Sequence, residues 1–315
     1  MAKLSRRLFV LGAIAFMLLG SCNTAKSPTS ESPLGSVAIE GTPTRIVALE
    51  WVYVEDLLAL GIQPVGVADV GGYKEYLKVQ PALAASIVDV GTRQEPSLEA
   101  IARLEPDLII GVQFRHEPIY DKLSAVAPTL LFNPYPAQDG PNQLEEMEQT
   151  MMAIAEAVKR REQGIAVLKQ MRAAFEAATS TLKSANHAGS KLVLVQAFTE
   201  NNTPQLRVFT DNSIAVQTLT QIGLENAWEG QFDPYGFNTV GVEALAATED
   251  AHFFYVVEDE DKVFTQLSNN PVWRGFEFVK QGRVYPLGGN TWLFGGPISV
   301  QLLVEKVVAA LVQKQ

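Results

Sequence analysis

The sequence predicts an α/β protein of two doubly wound lobes joined by a single long linker helix. Three observations lead there. From residue 44 onward, short β-branched runs alternate with helical stretches, the order that builds a parallel sheet with helices on its faces. Strand patterning then stops over 143–184, where Ile165, Leu168, Met171, Phe175 and Ala178 recur at helical spacing. Beyond that stretch the first pattern returns: the segment 99–110, Glu99-Ala-Ile-Ala-Arg-Leu-Glu-Pro-Asp-Leu-Ile-Ile110, is echoed by Glu243-Ala-Leu-Ala-Ala-Thr-Glu-Asp-Ala-His-Phe-Phe254. A single domain would have to hold a long helical insertion in its middle, so two lobes are the simpler organisation.

The chain opens on Lys3, Arg6 and Arg7, followed by an apolar run over 8–19 and then Leu19-Gly20-Ser21-Cys22. Positive charge, a short apolar run and small residues before a cysteine are the layout of a lipoprotein export signal over 1–21, with Cys22 as the lipidated residue. The run is too short for the roughly 20 residues that span a bilayer. Ser5-Arg6-Arg7-Leu8-Phe9 fits a twin-arginine signal and equally an ordinary charged leader. Removing the signal takes three cations with it, so the formal charge moves from −10 to −13. An exported acidic chain is a poor ligand for nucleic acid or an anionic lipid surface. No cysteine remains after Cys22, so no internal disulfide is expected. The Ser-, Thr- and Pro-rich stretch over 22–43 reads as a flexible tether.

The first lobe is expected over 44–160. It comprises strands at 45–50, 64–68, 106–111 and 129–132 and helices at 54–60, at 97–104 capped by Ser97, and at 120–126. A charged break at 159–162 divides the helical stretch and leaves a linker helix over 161–186. The second lobe, 187–315, resumes with a strand at 191–195 and a helix that closes at Gly223.

Signals for catalysis are weak. The chain lacks a phosphate-binding Gly-x-x-x-x-Gly-Lys, a Gly-x-Gly-x-x-Gly and a Gly-x-Ser-x-Gly elbow. His116, His187 and His252 stand in three segments without metal-ligand spacing, and only His116 lies where a pocket could form. Neither an enzyme nor a resident cofactor or metal is expected. Glu145-Glu146 and the run 259–261 read as solvated faces and turns. Aromatic residues at strand ends are the stronger signal: Trp51, Tyr73, Tyr76, Phe114, Trp292 and Phe294 all fall where an open α/β sheet binds its ligands. Trp228 and Trp273 read instead as rings packed beneath their loops. Arg93, in a loop between a strand and a helix, offers a permanently charged donor fork to oxygen acceptors, or else a surface pair with Glu95 or Asp89.

The order and spacing of Arg45-Ile-Val-Ala-Leu-Glu-Trp51, Leu57-Leu-Ala-Leu-Gly-Ile62, Val90-Gly-Thr-Arg-Gln-Glu-Pro96, Asn226-Ala-Trp228, Pro271-Val-Trp273 and Trp292-Leu-Phe-Gly295 resemble the substrate-binding lipoproteins of iron-siderophore ABC importers, particularly their ferric-hydroxamate, class III periplasmic branch. The resemblance implies two α/β lobes bridged by a rigid helix around a shallow aromatic cleft. Arg93 matches the arginine that contacts hydroxamate oxygens, and Trp292 matches a pocket tryptophan. Phe294 stands where the branch has a tyrosine, Tyr76 and Tyr235 where it has tryptophans, and Arg115 or His116 near a missing tyrosine. Arg115 would add positive charge, which favours a carboxylate or mixed-ligand chelate over a plain hydroxamate. The resemblance further implies a monomer that carries a ferric siderophore, with the iron held by the siderophore, to a permease dimer and its ATPase subunits. Asp121 and Glu243 are the docking acids expected on its two lobes. Haem or cobalamin on the same scaffold is the alternative cargo.

Overall fold

The computed structural model describes residues 29–32 and 35–313, so Cys22 and the export signal over 1–21 lie outside the described residues. The expected tether departs from coil within the described part. Strands β1 (Thr29–Ser32) and β2 (Gly35–Ala38) pair antiparallel, and Ile39 directly after them is 3% exposed in the main core. The polar composition that suggested a tether concealed one buried anchor.

The first sheet contains β3 (Ile46–Ala48), β4 (Gly66–Val67), β5 (Val88–Asp89), β6 (Leu108–Val112) and β7 (Thr129–Phe132), in the order β5-β4-β3-β6-β7 and all parallel. Both β6 and β7 are buried along their whole length, which is why they read as unbroken apolar runs. The helix expected from residue 54 starts three residues earlier, as Trp51–Ala59, because Glu50 leaves the strand in extended conformation and its carboxylate accepts the Trp51 amide. Ser97 caps the Leu98–Arg103 helix as expected, its hydroxyl oxygen accepting from the Ala100 amide at 3.2 Å.

The second sheet contains β8 (Lys191–Glu200), β9 (Thr203–Phe209), β10 (Glu225–Asn226), β11 (Phe237–Val240), β12 (His252–Val256) and β13 (Val284–Pro286). Its order is β11-β9-β8-β12-β13, with β10 beside β8. Here β9 runs against the other strands, returning from β8 through Asn201 and Asn202, both at positive φ. Asparagine tolerates that conformation, and the paired left-handed residues match the twist of a tight hairpin.

Between the sheets run helices Gln143–Ala157 and Arg161–Ser184, and the helix Pro297–Val312 packs along the second of them. The main core is continuous from Ile46 and Leu57 through Ile154, Leu168, Leu192 and Phe254 to Leu303 and Leu311, so it draws on both sheets. Two smaller cores cover the outer faces, one around Val193, Phe253 and Phe278 and one around Val47, Ile109 and Leu123. Trp273 and Trp228 pack against the former, as read from the sequence. Among the described residues, no helix is long and apolar enough to cross a membrane.

Candidate functional site

The carboxyl ends of the first sheet's strands converge on Glu50. Its Oε1 accepts from Arg93 Nη1 at 2.8 Å and its Oε2 from Arg115 Nη1. Arg93 arrives on the loop after β5. That loop is shaped by Gly91 at φ +100, where an added Cβ would lie 3.0 Å from the Glu95 carbonyl oxygen, and by Asp89, whose Oδ1 accepts the Gly91 amide. The guanidinium lies 3.7 Å over the Trp51 ring, and the Trp51 indole donates to the carbonyls of Ala68 and Asp69, both at 3.2 Å. Thus Trp51, itself 1% exposed, is the floor on which Arg93 rests.

His116 is corrected by the structure. It is fully buried; its Nδ1 accepts the Val112 amide and its Nε2 lies 2.9 Å from the Arg93 carbonyl oxygen, which fixes the proton on Nε2. Both nitrogens are spent, so His116 secures the Arg93 loop from behind and does not face the cleft. Burial lowers its pKa, which keeps the ring neutral.

A cleft of about 310 Å³ opens between the lobes, with Trp51, Tyr76 and Arg93 on one wall and Arg207, Glu258, Trp292 and Phe294 on the other. The rings follow one another around it: Tyr76 to Trp292 at 6.0 Å, Trp292 to Phe294 at 5.4 Å, and Phe294 to Phe237 at 6.0 Å. Lys306, on the Pro297–Val312 helix, fixes the loop that carries Trp292 by donating to Leu287 O, Asn290 Oδ1 and Thr291 Oγ1. Across the mouth, the Tyr76 hydroxyl donates to Glu258 Oε1 at 2.7 Å, and this bond to a carboxylate pushes the phenol pKa up to about 12.

Arg207 and Glu258 were not singled out from the sequence. Arg207 projects from β9 and lies 4.9 Å over the Phe198 ring and 5.0 Å over that of Phe237; its Nη1 donates to Gln196. It has no carboxylate partner within 4 Å among the described residues, whereas Arg93 and Arg115 share one. The Asn-Asn turn between apolar runs was the available signal for the hairpin that carries Arg207. Glu258 sat beside an acidic run read as a solvated turn.

Of the residues expected at the site, the structure therefore brings together Trp51, Tyr76, Arg93, Trp292 and Phe294. Arg115 joins them through Glu50. Tyr235, 42% exposed, lies in a neighbouring aromatic group with Phe114 and Tyr135 and reaches the cleft through Phe237. Asp121 and Glu243 are exposed near the starts of helical segments of the two lobes. The expectation of a solvated Glu146 is overturned: it is half-buried, accepts from the Thr150 hydroxyl, and desolvation pushes its pKa up to about 7. Among the described residues, no group of three or more His, Cys, Asp or Glu side chains could hold a metal ion.

The periplasmic binding protein family (Peripla_BP_2) matches the chain over residues 46–291. The iron(3+)-hydroxamate-binding protein FhuD of Escherichia coli is 30% identical over 303 residues, covering 96% of this chain and 95% of its own. The probable siderophore-binding lipoprotein YfiY of Bacillus subtilis is 29% identical, covering 95% of this chain and 94% of its own. Among solved structures, the FhuD of Vibrio cholerae with bound Fe3+-Desferal superposes with a TM-score of 0.77 at 27% identity, over 85% of this chain and 98% of that one.

Proposed function

Because the chain belongs to the periplasmic binding protein family, we propose that it captures a ferric siderophore outside the cytoplasm and delivers it to an ABC importer. The observation that carries this reading is the pairing of aromatic walls with guanidinium groups from both lobes in one cleft. A siderophore wraps its iron in its own oxygens, so the protein needs donors for those oxygens and flat apolar surface for the organic body. Arg93 and Arg207 supply the donors; in each, Nη2 has no protein hydrogen bond among the described residues. Trp292, Phe294 and Tyr76 supply the surface, and Arg115 acts through Glu50. Haem and cobalamin gain no support from the relatives.

Titration of intrinsic tryptophan fluorescence with hydroxamate, catecholate and carboxylate ferric siderophores tests this reading, with haem and cobalamin as controls. Saturable quenching by at least one ferric chelate is expected. Quenching by haem or cobalamin alone would reject it.

Delivery requires anchoring and docking. Cys22 is the proposed lipidation site, and Cys22→Ser should release soluble or unprocessed protein; a membrane-bound mutant of unchanged mass would sink this assignment. Asp121 and Glu243, one on each lobe, are proposed to meet cationic groups on the two permease subunits. Exposed charges of this kind govern encounter and register more than ligand capture. The internal repeat makes Glu99 the positional counterpart of Glu243, so charge reversals are made at all three. Asp121→Lys or Glu99→Lys, each combined with Glu243→Lys, should leave chelate affinity intact. At least the pair that includes the true first-lobe contact should lose uptake, and normal uptake in both pairs would exclude acidic docking at these positions.

A further inference from the structure

Glu258 is an acidic group in a cleft otherwise suited to anionic oxygens. It stands exposed at the mouth, where Oε1 takes the Tyr76 hydroxyl and Oε2 has no protein partner among the described residues. No cationic side chain lies within 4 Å of it among those residues. Arg207 lines the same cleft but forms no ion pair with it among the described residues.

The cationic side chains of this region are largely answered already: Glu50 pairs with Arg93 and Arg115, and Asp69 lies 3.8 Å from Arg93 Nε. The positive charge expected from Arg115 is therefore taken up by Glu50 within the protein. A ligand that covers Glu258 strips water from its unpaired oxygen. That costs free energy unless the ligand brings a donor, and a cation is the best one.

We propose that Glu258 makes this cleft select ferric chelates that carry a protonated amine arm over the same chelates without it, an assignment that rests on the ferric-siderophore reading above. The arm lies beside Tyr76 and Trp292, whose ring faces favour a cation. The chelate's iron-bound oxygens lie toward Arg93 and Arg207.

The test compares the ferric complex of a linear trihydroxamate ending in a primary amine with its N-acetylated form, by fluorescence quenching of the full chain at neutral pH. The amine form is expected to bind about fivefold more tightly, in keeping with one charge pair at a partly covered rim. In Glu258→Gln the ratio should fall to about one. As a second measurement that needs no variant, raising the ionic strength to about 0.5 M should shrink the ratio in the wild-type protein. A wild-type ratio of one, a ratio unchanged in Glu258→Gln, or tight binding of ferric citrate with neither trihydroxamate bound overturns the selection while leaving siderophore binding in place. Failure of every ferric chelate to bind overturns the siderophore reading and this inference together.

Discussion

Arg93 owes its position to four contacts from separate parts of the chain: Glu50 at its tip, Trp51 under its face, Asp69 at 3.8 Å from Nε, and His116 behind its carbonyl. A side chain fixed in this way loses little further freedom on binding, which favours affinity. Arg93→Ala should weaken chelate binding about tenfold to hundredfold, roughly 1.5–3 kcal/mol for a charge-assisted hydrogen bond, measured by fluorescence titration. Unchanged affinity in a folded variant would remove Arg93 from the site. Glu50 carries a different expectation because one carboxylate serves two half-buried guanidinium groups. Glu50→Gln should lower the unfolding free energy by about 2–4 kcal/mol, since Arg115 loses its counter-charge and Arg93 keeps only the more distant Asp69. Denaturant unfolding checks this, and a loss below about 0.5 kcal/mol would mean that water screens the triad.

At the scale of elements, four of the first sheet's five strands were legible because they are local signals, β-branched runs, as were Ser97 before a helix and, at helix ends in the first and second lobes, Gly61 and Gly223 at positive φ; the two-residue, exposed β5 had no apolar run to mark it. Less legible was whatever depends on distant partners. Glu50 looked like the last residue of a strand, and only the fold brings Arg93 and Arg115 to it from 43 and 65 residues away. The β8–β9 hairpin was obscured because the expected repeat of the first lobe has no hairpin at that place, and Arg207 was lost with it. Glu146 looked solvated in a charged helix turn, yet it lines a small enclosed space with Tyr53, Tyr135, Met147 and Ile214, residues from distant parts of the chain. Its folded pKa of about 7 exceeds the ordinary value of about 4.3 for the unfolded chain. Below about pH 3 both states are protonated and the site has no penalty. As pH rises toward 7 the unfolded chain ionises first, so stability falls, by about 3–4 kcal/mol at most and by less where water screens this half-buried group, and then levels off. Glu146→Gln should therefore stabilise the protein more at pH 8 than at pH 4.5 in urea unfolding. An equal effect at both would show that the carboxyl ionises freely in the folded state.

On the scale of the whole molecule, the two sheets share one core, and the lobes are also tied by single side chains. Glu55, on the first-lobe helix Trp51–Ala59, accepts from the amides of Ile298 and Ser299 at 2.8 and 2.7 Å and from the Ser299 hydroxyl at 2.6 Å. It thereby caps the Pro297–Val312 helix from across the molecule. Glu55→Ala should cost about 2–4 kcal/mol by leaving three donors unpaired, the two of Ser299 buried and that of Ile298 half-buried, and unfolding should remain a single transition because the core is common to both lobes. Two separate transitions would contradict a shared core. With the lobes joined in this way, ligand binding should leave the radius of gyration in solution scattering unchanged, and a measurable contraction would point to a hinge. The Lys306 anchor beneath the Trp292 loop has a temporal consequence. That lysine follows every other residue of the cleft in sequence, so a chain still being synthesised can make every strand while the loop bearing Trp292 and Phe294, whose rings already meet Tyr76 and Phe237, lacks the clamp at its base. Competence to hold cargo is then acquired only once Lys306 has joined the fold, and a chain halted at residue 296 should scavenge no iron complex.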